Sequence, residues 1–123
     1  MDAIYLICYG DSEENLKISL NTKIIGASNN KKIPLGQLIY LIVKREGKWT
    51  VVGKGHLDEE VDKNHFEKPN RFKTYSVKYL KACNPFSISE ICKSELGSSY
   101  GLVLRSPQPI TAEKFVSFLE KNS

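Results

Sequence analysis

Cysteine is sparse in this sequence and odd in number, which excludes a disulfide framework. Cys8, Cys83 and Cys92 show no paired spacing, whereas small stapled folds carry even numbers at regular intervals. Cys8 lies in an apolar run and reads as a core thiol. Cys83 and Cys92 surround a helix start and read as packing residues, so the chain is expected to be cytoplasmic. Long apolar runs are also missing. The N-terminal run, Ile4-Tyr5-Leu6-Ile7-Cys8-Tyr9, is bounded by Asp2 and Asp11. A membrane span needs about 20 such residues and a signal peptide carries different flanks. No membrane partner is expected.

Catalytic signatures are missing too. Gly53-Lys54-Gly55 lacks the further glycine and the helix that a dinucleotide site requires. No serine sits in a nucleophile elbow. The histidines are His56 and His65, with acidic residues between them. A metal site from His56, Asp58, Glu59 and His65 is conceivable, but an acidic, solvated loop is the plainer reading. A Cys–His nucleophile would need a meeting in space that sequence does not show. The chain is therefore expected to be no enzyme, with no catalytic residue, no metal and no cofactor. Arginine is scarce: Arg45, Arg71 and Arg105 stand among 18 basic residues against 14 acidic ones, a net charge of +4. That excess permits nucleic-acid binding without demanding it.

What is present is an ordinary globular composition, 41% hydrophobic and 26% charged over 123 residues. This suits one domain, 1–123, with its own core. Ile4 to Tyr9 reads as a buried strand. Asn15 to Leu20 alternates Leu16, Ile18 and Leu20 with polar residues and reads as a short half-buried strand. Ile24-Ile25 runs into a polar loop or helix start. Gln37 to Val43 is the strongest strand, and Arg45-Glu46-Gly47-Lys48 turns it into a hairpin with Trp49 to Leu57. Gly53 and Gly55 signal a bulge or close backbone approach. Asp58 to Asn70 reads as a long loop with one helical turn, of the kind that is often functional.

Phe72 to Leu80 reads as a strand with a buried Tyr75-Val77-Tyr79 face, ended by a turn at Asn84-Pro85-Phe86. Ser87 and Glu90 are spaced as a capping box for a short helix. Leu102 to Leu104 reads as a short strand, and Thr111 as the N-cap of a last helix burying Phe115, Val116 and Leu119. The expected class is α+β: a small barrel or strongly curved mixed sheet with short peripheral helices.

Tyr9, Trp49, Phe66 and Phe72 stand at strand ends or in charged loops. Rings in such places are loop anchors or ligand contacts. An unpaired base is held by aromatic faces, with uncharged polar groups on its edge. Ser28, Asn29 and Asn30 could supply those groups, although alone they read as a turn. Lys31-Lys32, Lys44-Arg45 with Lys48, Lys68 with Arg71 and Lys73, and Lys78 with Lys81 are basic clusters, several of them beside these loops. They could meet phosphates or form a solvated rim.

Four segments in order resemble the EVE domain, a PUA-like relative of YTH and ASCH domains. They are the N-terminal apolar strand leading to Asn15–Leu20, Ile25-Gly26-Ala27-Ser28-Asn29, Pro34-Leu35-Gly36-Gln37-Leu38-Ile39-Tyr40, and Val51-Val52-Gly53-Lys54-Gly55-His56-Leu57. Arg105-Ser106-Pro107 and Ile110–Phe115 also fit. Ile25 stands where the family often has Trp, and Gln37 where it often has Asp, so either another ring lines the pocket or the ligand differs. The resemblance implies a PUA-like barrel that flips a methylated base into an aromatic pocket. In McrBC-type restriction systems such a reader serves fused or associated motor and nuclease subunits. Tyr9, Ser28, Asn29, Phe66 and Phe72 become the base-binding candidates. Lys31, Lys32, Arg45 and Arg71 become the phosphate-binding ones. The expected partner is modified double-stranded DNA, and the chain would suit an N-terminal reader of a longer protein or a small protein by itself. Alternatives are a binder of modified or single-stranded RNA, a small nucleotide-acting enzyme of ASCH type, and a protein-interaction domain.

Overall fold

Residues 3–28, 32–97 and 100–123 are described by the computed structural model. They build β1 (Ile4–Cys8), α1 (Glu13–Thr22), β2 (Ile24–Ser28), β3 (Leu38–Arg45), β4 (Lys48–Glu60), β5 (Phe72–Ser87), α2 (Ser89–Leu96), α3 (Tyr100–Arg105) and α4 (Glu113–Asn122). One sheet contains all five strands in the order β1-β3-β4-β5-β2. β1 runs parallel to β3, and every other pair is antiparallel. The sheet curls into a half-barrel, and the expected class holds. No helix among the described residues is long and apolar enough to cross a membrane.

The unbroken apolar runs of β1 and β3 follow from burial on both faces. Tyr5, Ile7, Ile39, Leu41 and Val43 point into the concave core with Ile25, Val52 and Tyr75. Ile4, Leu6, Tyr40 and Ile42 point outward and are covered by Ile88, Cys92, Leu104, Phe115, Val116 and Leu119 of the C-terminal half. The β3–β4 turn places Glu46 and Gly47 at φ 51 and 76, the pair of positive angles that suits the twist of a two-residue hairpin.

Bulges curl the sheet. Register shifts fall beside Gly53 and Gly55 of β4, where the sequence expects them. A Cβ on Gly55 would meet Val77 Cγ1 at 2.5 Å and the Leu80 Cα at 3.2 Å, and one on Gly53 would meet the Lys81 carbonyl at 3.1 Å. The strands cross so closely there that only glycine fits.

Several expectations are corrected. Asn15–Leu20 is helical: Ser12 caps α1 by accepting from the Asn15 N–H (3.2 Å), and the helix buries Asn15, Leu16 and Ser19. A capped start outweighs the apparent two-residue alternation. Ile24–Ser28 is a strand, paired to β5 through Ser28↔Phe72. The loop expected over Asp58–Asn70 is shorter, because β4 continues to Glu60, and its helical turn is a 3₁₀ turn at Pro69–Arg71.

β5 runs on through Asn84-Pro85-Phe86 instead of turning. Pro85 is tolerated because residues 83–85 bulge out between the Val51↔Phe86 and Gly53↔Ala82 pairs, where no ladder N–H is needed. Tyr79 leaves the buried face of β5: at φ 59 it bulges outward, 80% exposed, and Leu80 takes the inward place. α2 begins at Ser89, and Ser87 accepts from the Ser89 N–H instead of forming a box with Glu90. Leu102–Leu104 lies in α3, and α4 starts without a Thr111 side-chain cap but buries the expected Phe115, Val116 and Leu119.

Candidate functional site

β1 and β2 are the two free edges of the half-barrel. Tyr9, the first residue past β1, closes the gap between them. Its hydroxyl is hydrogen-bonded to Ser19 Oγ of α1 and accepts from the Gly26 N–H of β2 (3.2 Å). Burial, partly offset by these bonds, pushes its pKa up to about 12, so Tyr9 is a neutral fixture. Its ring stacks on Phe66 (centroids 5.8 Å) and meets Phe72 edge-on (6.2 Å), while Phe66 and Phe72 lie 5.4 Å apart. Gly26 makes room for the pair. A Cβ there would lie 3.0 Å from Phe72 and 3.1 Å from Phe66.

The segment carrying Phe66 is tied down by two asparagines. Asn64 Oδ1 accepts from the Phe66 N–H (3.2 Å), and its Nδ2 donates to the Pro69 carbonyl (2.9 Å). Buried Asn15 accepts from the Glu67 N–H (2.9 Å) through Oδ1.

Above this nest opens a cleft of about 1300 Å³. Its floor includes Tyr9, Ala27 and Phe72; Ser12, Asn15 and Ser28 add uncharged hydrogen-bonding groups. Trp49 and Tyr100 bring two more half-buried rings, and Lys44 lies over the Trp49 ring at 5.3 Å. Lys68, Arg71 and Arg105 bring cations to the walls and Asp11 and Glu67 bring carboxylates. None of the three cations forms an ion pair among the described residues. A planar, uncharged ring could be sandwiched on the floor, its edge read by amide, hydroxyl or carboxylate groups, with an anion held at the rim.

The structure thus brings Tyr9, Phe66, Phe72 and Ser28 together, with Phe66 buried behind the other rings instead of lining the cleft. Asn29 and Lys31 lie outside the described residues. Arg71 lines the cleft, whereas Lys32 and Arg45 do not. Arg45 makes a two-point ion pair with Glu13 (2.8 and 2.9 Å), which lowers the Glu13 pKa and raises its own. Asp11, Asn15, Lys68, Tyr100 and Arg105 were missed as site residues. Asn15 and Tyr100 were hidden by helices read as strand or loop, and Lys68 was visible as part of a basic cluster.

The thiols offer little nucleophile. Burial raises the pKa of Cys8 and Cys83, and takes Cys92 to about 11. Among the described residues no three His, Cys, Asp or Glu side chains converge as a metal site.

No protein-family model matches the sequence, and no curated protein does. Solved structures do match in shape. The YTH domain of Mmi1 in complex with RNA superposes with a TM-score of 0.70 at 17% identity, over 98% of this chain and 77% of that one. An ASCH protein from Zymomonas mobilis gives 0.65 at 12%, over 98% and 99%. The Pho92 YTH domain in complex with m6A gives 0.57 at 13%, over 98% and 85%. The shared property is the fold, the curved half-barrel common to this chain and these YTH and ASCH structures.

Proposed function

We propose that this chain is a nucleic-acid-binding reader that seats one modified base in the cleft between the β1 and β2 edges. The observation carrying this reading is the convergence in one cleft of an aromatic floor, uncharged polar groups and three cations that have no ion-pair partner among the described residues. Phe72 and Tyr9 supply ring contact, and Ser12, Asn15 and Ser28 lie where a base edge would be read. Lys68, Arg71 and Arg105 take the flanking phosphates. A methyl group is read by its fit among rings, since it adds apolar area and removes a donor. The role is binding without catalysis, by a single domain.

RNA is the polymer that the structural neighbours support, because both YTH domains described above are in complex with RNA or m6A. The DNA reading, a specificity module serving motor and nuclease subunits, rests on the EVE resemblance. An ASCH-type enzyme is a further alternative, supported by the ASCH neighbour. It would turn over a nucleotide and lose that turnover when His56 or His65 is replaced.

Fluorescence anisotropy with matched strands decides among these readings. The strands are RNA and DNA, single and double, each unmodified, with methyladenine and with methylcytosine. A preference of about tenfold, equal to about 1.4 kcal/mol, for one modification identifies the reader and its base. The polymer that shows the preference separates RNA from DNA. Phe72→Ala should abolish the preference. Equal, salt-sensitive affinity for all strands rejects base reading.

A further inference from the structure

A second feature lies on the outer face of the sheet, past the C-terminal end of α4, and shares no residue with the cleft. The registers place Leu38, His56 and Lys78 in one row across β3, β4 and β5, and Tyr40, Lys54 and Lys81 in the next. A hollow of about 340 Å³ opens there, lined among others by His56, Tyr79, Lys54, Lys81 and Glu120.

Two observations give it a chemistry. Tyr79 is a bulky side chain held at φ 59 by the bulge opposite Gly55, its ring 80% exposed and edge-on to His56 at 6.1 Å. Tyrosine is disfavoured in that backbone region. An apolar ring so presented gains nothing from folding. The other observation is charge. Lys54 and Lys81 are directly opposed across the β4–β5 ladder, a like-charge pairing that costs stability until an anion sits between them. Neither lysine has an ion pair among the described residues, although Glu120 lines the same hollow; Lys54 Nζ donates only to Ser123 Oγ (3.3 Å). Lys78, opposite His56 but outside the hollow's lining, is loosely paired with Asp58 at 3.6 Å.

We propose that this hollow is a second site, for one unpaired nucleotide of a polynucleotide strand. The base stacks on Tyr79 beside His56, and its phosphate sits between Lys54 and Lys81. Stacking on an exposed ring tolerates any base, so this site adds affinity for single strands without reading modification. It stands independently of the cleft.

The test is anisotropy of the full chain with unmodified ten-nucleotide single strands, DNA and RNA, at several salt concentrations. Tyr79→Gly suits the positive φ and keeps the fold, so any loss of binding cannot be ascribed to unfolding. It should weaken binding at least about fivefold. Tyr79→Phe should retain affinity. Lys54→Ala with Lys81→Ala should weaken binding and flatten the salt slope by about 0.7, one phosphate contact's worth. These losses should persist in a Phe72→Ala background, which takes the base-contacting ring from the cleft. Unaltered affinity in Tyr79→Gly and in the double lysine variant, or no single-strand binding by the parent chain, overturns the proposal.

Discussion

Tyr9 shows how one residue can serve the fold and the site together. Its hydroxyl joins three elements and its ring forms the back of the cleft. Tyr9→Phe keeps the ring and strands the Gly26 N–H and Ser19 Oγ. It should cost about 1–2 kcal/mol in urea unfolding while sparing ligand affinity. The variant also reveals a pH effect. The unfolded chain releases this proton near pH 10, the folded chain near 12. Between those values the native state holds the extra proton, so stability falls as pH rises. The parent should lose on the order of 2 kcal/mol more than Tyr9→Phe over that window. Equal losses in denaturant titrations at pH 9 and above 11 would refute the buried neutral phenol. Gly26→Ala probes the same nest from below. A methyl at 3.0 Å from Phe72 must displace the ring, and binding of the preferred strand should weaken.

At the scale of elements, the decisive piece is the 61–71 segment between β4 and β5, which delivers Phe66, Lys68 and Arg71. It has little regular structure of its own and is held by Asn15 and Asn64 side chains. Such segments open locally at a fraction of the global unfolding free energy. Asn15→Ala leaves the Glu67 N–H without its acceptor. We expect faster hydrogen exchange at Glu67 and its neighbours, about 1–2 kcal/mol lower stability, and weaker ligand binding. Asn15→Ala exchange protection identical to the parent's would show that the segment is held by its rings alone. The helix that carries Asn15 was legible only from its start: Asp11-Ser12-Glu13-Glu14 is a cap followed by an acidic first turn. The alternation of Leu16, Ile18 and Leu20 obscured it.

For the whole molecule, β1 and β3 belong to both cores, so neither layer can melt alone. Unfolding should be one cooperative transition, with fluorescence and circular dichroism coincident. Charge is likewise a property of the whole surface. If Lys68, Arg71 and Arg105 take three phosphates, log affinity for a single strand at the cleft should fall with log salt at a slope near −2. Removing Arg71 should reduce that slope by about 0.7. Arg45→Ala, which breaks an exposed pair with Glu13, should leave the slope unaltered.

The sequence by itself determined the strands that form the centre of the sheet. Two-sided burial writes itself as unbroken apolar runs in Ile4–Tyr9 and Gln37–Val43, and the Glu46-Gly47 turn and the Gly53/Gly55 crossing follow from local sterics. It also singled out Tyr9, Phe66, Phe72 and Arg71, because rings and cations beside loops are visible one at a time. Only the tertiary structure decided that those rings touch, that Arg45 faces Glu13, and that Trp49, Tyr100 and Arg105 border the same cleft. Those facts depend on which strands become edges and how far bulges curl the sheet. Both are set by contacts between residues far apart in the chain, to which local periodicity is blind.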